Sequence, residues 1–89
     1  MNPLLGKIAG AFSETEIDEE VVVMALASGD FFSLTGTAKA IWLLLDGTRS
    51  RAALLADLAA QFGCAEAEIA GDLDAFLADL GAAGLVAAS

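Results

Sequence analysis

The hydrophobic period changes once along this chain, from two residues to about 3.6, and that switch orders its elements. "AFSETEI" (residues 11–17) alternates Phe12, Glu14 and Glu16 against Ser13, Thr15 and Ile17, the pattern of a short strand with one wet face. "DEE" punctuates. "VVVMALA" (21–27) opens β-branched and is apolar on both faces, as a central strand is. "SGD" offers a tight turn with Gly29 free to take positive φ, so "FFSL" is expected to run back antiparallel and complete a three-stranded meander.

From residue 35 the spacing becomes helical. Thr35 can cap a helix that buries Ala38, Ile41, Trp42 and Leu45, with Gly47 as its stop. Ser50 caps a second helix with Leu54, Leu55, Leu58 and Phe62 inward, closed by Gly63. A third runs from about Glu66 to Ala83 with Ile69, Leu73, Phe76, Leu77 and Leu80 on one stripe. "LVA" ends the chain as an extended tail, and residues 1–11 read as a loose lead-in before one domain over 12–89. Strands followed by helices give an α+β fold: a three-stranded antiparallel sheet packed on a three-helix, winged-helix-like (helix-turn-helix) unit.

Composition then removes whole classes of function. With no histidine, no tyrosine and one cysteine, Cys64, neither a Ser-His-Asp nor a Cys-His arrangement can be built, and nitrogen/sulfur metal sites are nearly ruled out. No catalytic, cofactor or metal residues are assigned, and the chain reads as a non-enzyme. "GKIAG" and "GDLDAFLADLG" lack the glycine spacing of a phosphate loop, so Gly6 and Gly10 read as a flexible terminus. An acyl-carrier reading fails because "GDLD" has leucine where the arm-bearing serine would stand.

Helix-turn-helix spacing invites a winged-helix transcriptional regulator, but acids outnumber bases thirteen to four, giving a net charge of −9. The third helix shows Glu66, Glu68, Asp72, Asp74 and Asp79 and no basic residue, so phosphate would repel it. Neither nucleic acid nor an anionic membrane is an expected partner. No apolar run reaches the ~20 residues of a membrane span, no signal peptide is evident, and a single cysteine forms no intrachain disulfide, so cytoplasm is the expected location. Trp42 reads as core and Cys64 as a small packed hydrophobe.

"SGDFFSLTGTAKAIWLLLDGTRSRAALLADLAAQFG" followed by "DLDAFLADLGAAGLV" resembles the PqqD-like family, the recognition elements for precursors of ribosomally made, post-translationally modified peptides. The likeness covers about residues 12–87. It implies a non-catalytic chaperone that binds the leader region of a precursor peptide and presents it to a modifying enzyme, such as a radical SAM enzyme or a lasso-peptide leader peptidase. In that family the leader adds as a strand beside the third strand and packs on the third helix. Residue by residue this points to Asp30, Phe31, Phe32, Ser33 and Leu34, and to Glu68, Asp72, Leu73, Phe76, Asp79 and Leu80, as peptide-binding positions. Ala65 departs from the family's more polar helix start.

The residues themselves agree with that picture. The third strand is an edge carrying one charge and no proline, open to an added strand. Phe32 and Leu34 share the core face; Phe31 and Ser33 share the other, where Phe31 is covered by a docked peptide, by the first helix or in a homodimer. On the third helix Phe76 borders an acidic flank of Glu68, Asp72 and Asp79, a wall suited to a peptide with apolar anchors and a basic residue.

Overall fold

The computed structural model describes residues 3–88. Met1, Asn2 and Ser89, which fall within the expected lead-in and the end of the expected domain, lie outside the described residues. In chain order the elements are β1 (Leu5–Lys7), β2 (Phe12–Ile17), β3 (Glu20–Ala25), β4 (Phe31–Leu34), α1 (Gly36–Leu44), β5 (Asp46–Arg49), α2 (Arg51–Phe62), α3 (Glu66–Ala82) and β6 (Val86–Ala88). The class is α+β, and β2–β3–β4 form the antiparallel meander.

Two turns close the meander. Asp18 adopts a left-handed φ of 55° between β2 and β3. Gly29, at φ 77°, donates its N–H to the Ala25 carbonyl at 2.7 Å before β4. Val21 and Val23 stand opposite Leu34 and Phe32. That face of the sheet meets Ile41 and Trp42 of α1, Leu54 and Leu58 of α2, and Ile69, Leu73 and Leu80 of α3 in one buried cluster. Removing a leucine-sized side chain from water stabilises by roughly 1.5–3 kcal/mol, so this shared cluster is what holds sheet and helices together. Trp42 lies at its centre, fully buried, with Phe12 edge-on at 5.0 Å and the Lys7 ammonium 4.7 Å from the ring centroid. Its indole N–H has no acceptor among the described residues. Trp42 is therefore a packing residue, as its stripe predicts.

The ends of α2 follow the sequence, while those of α1 and α3 do so only in part. The Ser50 hydroxyl accepts from the Ala53 N–H at 3.3 Å, and Gly63 closes α2 at φ 63°. Thr35 occupies the N-cap of α1 without a side-chain bond. At α3 the N-cap is Ala65, which has no side-chain acceptor. Half a capping box survives because the Glu68 carboxylate accepts from the Ala65 N–H at 3.0 Å.

A second sheet departs from the sequence reading. β1 sits between β5 and β6, pairing Leu5 with Arg49 and Ala88, and Lys7 with Val86. The lead-in is thus ordered over Leu5–Lys7, and the tail is a strand. Gly6 is not a flexible terminus: a Cβ there would lie 3.1 Å from the Gly47 Cα, a tight contact that the β5 backbone would have to relieve by a few tenths of an ångström. Gly47, at φ 84°, lies inside β5 rather than stopping α1, which ends at Leu44. Phe62 is a further correction. It is 43% exposed because the last turn of α2 overruns the core, although its spacing from Leu58 places it on the apolar stripe.

Candidate functional site

The pairing of β4 determines what its free edge can offer. Asp30 stands opposite Ala25, one step beyond the Phe31–Met24 pair, and its carbonyl accepts the Ala25 N–H at 2.8 Å. Antiparallel ladders alternate hydrogen-bonded and non-hydrogen-bonded pairs. The bonded pairs are therefore Ala25–Asp30, Val23–Phe32 and Val21–Leu34. Phe31 and Ser33 belong to the other set, so their N–H and C=O groups point away from β3. Because β4 ends the sheet order, these four groups have no strand beside them.

Side chains of β4 divide between the faces as the alternation requires. Phe32 is half-buried on the core and Leu34 is fully buried within it. Phe31 is 70% exposed on the opposite face, directly across from Met24. Val22 lies diagonally from Phe31 and across from Ser33. The Ser33 hydroxyl donates to the Glu20 carboxylate on the same outer face, and the Asp30 N–H is taken by the Ser28 hydroxyl at 3.3 Å. Of the alternatives for covering Phe31, packing on α1 is excluded, since the helices occupy the other side of the sheet.

On α3 the expected residues also separate by depth. Leu73 and Leu80 are fully buried and supply the floor of the core rather than surface for a partner. Phe76 is half-buried at the margin of the same cluster, while Glu68, Asp72 and Asp79 are exposed. Glu68 is committed to the helix start. The structure thus brings Phe32, Leu34, Leu73, Phe76 and Leu80 together around one core, with α1 packed against both β4 and α3. Phe31 and Ser33 stand apart from α3, across the sheet.

Charge is unevenly spent. Arg49 donates to Asp57 at 2.7 Å, to Asp46 at 3.0 Å and to the Leu44 carbonyl at 3.2 Å, tying β5 to both flanking helices. Arg51 forms a two-pronged pair with Asp74 at 2.6 and 2.8 Å, joining α2 to α3. These bonds hold Asp74 below the usual carboxylate range, and Thr48, through its hydroxyl and its N–H, does the same for Asp46 with help from Arg49. Of thirteen carboxylates, Asp46, Asp57 and Asp74 are paired, which leaves ten without a cationic partner among the described residues. They include Asp30, Glu20, Asp72 and Asp79 around the candidate residues. A basic partner is favoured throughout.

One surface escaped the sequence reading: a groove of about 410 Å³ between α1 and α2, bordered by Glu19, Lys39, Leu43 and Phe62. The misplaced Phe62 was the signal that could have revealed it. Among the described residues no cluster of His, Cys, Asp or Glu is arranged to hold a metal ion. No described helix is long and apolar enough to cross a membrane.

The sequence family described as "Coenzyme PQQ synthesis protein D (PqqD)" matches residues 20–86. Among solved structures, that of "TbiB1 in Complex with the TbiA(beta) Leader Peptide" is similar to this chain, with a TM-score of 0.77 and 29% identity. The likeness covers 90% of this chain and 93% of that one. Nothing among curated proteins matches.

Proposed function

From the premise that this chain belongs to the PqqD family, we propose that it is a non-catalytic recognition element for a ribosomally made precursor peptide. It binds the leader segment by strand addition to β4 and presents the remainder to a modifying enzyme, either a radical SAM enzyme or a lasso-type leader peptidase. The observation that carries this is the open edge of β4, where Phe31 and Ser33 turn two N–H and two C=O groups outward. Support also comes from the similar solved structure, TbiB1, which is in complex with a leader peptide. Phe76 forms the apolar wall on α3, and Asp72 and Asp79 attract basic residues. Such a chaperone works where its precursor is translated, in the cytoplasm. A winged-helix regulator finds no support. Its α3 would bring to the phosphates four acids, Glu66, Glu68, Asp72 and Asp79, that have no cationic partner among the described residues.

The test is to search the neighbouring genes for a short precursor peptide and to titrate its leader segment by fluorescence anisotropy. Saturable binding is expected, weakened about tenfold by Ser33→Pro, which removes one edge donor. No binding, or equal binding by a folded Ser33→Pro protein, would overturn the assignment.

A further inference from the structure

We infer that the strand seated on β4 is read chiefly on the outer face of the sheet: its residue opposite Phe31 is apolar, and its residue opposite Ser33 is basic. This rests on the reading of β4 as a peptide-docking edge and adds the chemistry of the peptide. Directly paired residues on neighbouring strands project to the same face with Cβ atoms ~5 Å apart. Any strand bonded to the outward groups of Phe31 and Ser33 therefore sets two side chains on the outer face, the one away from the helices. The first meets Phe31, 70% exposed, with Met24 behind it. Water is displaced from apolar surface there only if that side chain is apolar.

The second meets a different surface. Ser33 is small and its hydroxyl is bonded to the Glu20 carboxylate, which has no cationic partner among the described residues. A lysine or arginine laid over Ser33 reaches that carboxylate. Between these two positions, the intervening peptide residue faces the helix side, beside half-buried Phe32. The segment thus reads apolar, apolar, basic, or the reverse order when the strand runs the other way. Charge also argues against a second copy of this chain as the occupant, since each copy has a net charge of −9.

A display library of short random peptides, selected separately on the full chain and on four variants, tests this. On the unmodified chain, the apolar–apolar–basic triplet is expected to be enriched. Phe31→Ser should erase the preference at the outer apolar position and weaken a selected peptide about tenfold, as burying half a phenylalanine implies, and Phe31→Leu should restore both. Glu20→Gln should erase only the basic preference. Identical profiles on Phe31→Ser and the unmodified chain, with enrichment abolished by Ser33→Pro, would overturn this inference while leaving the edge reading intact. Enrichment that survives Ser33→Pro, or none on the unmodified chain, would overturn both. Sedimentation of the peptide-free chain should give a monomer; a dimer lost in Phe31→Ser would assign the outer face to a second copy and overturn the inference.

Discussion

Proline placed at two adjacent positions of β4 should have opposite consequences. Phe32 donates its N–H to the Val23 carbonyl in the bonded set of the ladder, whereas Ser33 donates outward. Phe32→Pro removes a ladder bond and leaves the carbonyl of Val23, a fully buried residue, without its partner. An unsatisfied buried polar group costs about 1–3 kcal/mol. For a domain of this size each kcal/mol lowers Tm by about 4–8 °C, so Phe32→Pro should melt roughly 5–20 °C lower, before any loss of Phe32 packing is counted. Ser33→Pro loses no ladder bond. It forfeits only the exposed hydroxyl bond to Glu20, worth about 1 kcal/mol or less, and the proline ring is compatible with an edge strand. Circular dichroism melts measure the difference, and hydrogen exchange reads it without mutation: the amides of Phe32 and Leu34 should be protected, those of Phe31 and Ser33 fast. Equal destabilisation by the two prolines, or a protected Ser33 amide in the monomer, would refute the assignment of inward and outward groups.

Four further outcomes are expected. Phe76→Ala should speed dissociation of a bound leader at every ionic strength, by about thirtyfold if Phe76 is a central anchor; Asp72→Asn with Asp79→Asn should slow association chiefly below ~0.1 M salt. Surface plasmon resonance separates the two, with Glu68 left in place to preserve the helix start. Gly63→Ala should cost about 1 kcal/mol in denaturant unfolding through backbone strain alone, since φ is 63° and a Cβ there meets nothing within 4 Å. The Arg51–Asp74 tie depresses the Asp74 pKa, so its contribution is present above the ordinary carboxylate range and fades as pH falls through the folded-state value. Arg51→Gln should therefore destabilise slightly at neutral pH and not at all once both states are protonated, a contrast that high salt should also flatten.

The parts legible in the sequence were those whose stability is local or periodic. The Val21–Ala25 run, the Gly29 turn and the leucine stripes of α2 and α3 announce themselves within a window of a few residues. β1, β5 and β6 do not. Leu5 pairs with Ala88 at the far end of the chain, and the short strands LGK, DGTR and VAA carry no apolar alternation. Phe62 shows the limit of angular reasoning, since a residue can lie on the right side of a helix yet beyond the reach of the core. For the candidate residues, period two sorted Phe31 and Ser33 from Phe32 and Leu34 correctly. It left the hydrogen-bond parity open, because that depends on the turn linking β3 to β4. Leu73 and Leu80 share a stripe with Phe76, and only depth, which a helical projection lacks, distinguishes them.

The pairing of β1 with β6 also gives the molecule a mechanical character. Leu5 lies opposite Ala88, the strands run antiparallel, and both ends leave the sheet on the same side. Tension applied between the two ends loads these hydrogen bonds one after another, as in a zipper, instead of shearing them together. The small sheet should peel at low force, taking the β5 contact with it, while the meander and the helical layer bear no load until the seam has opened. A pulling machine would thus meet little resistance at first and then an intact core still displaying β4.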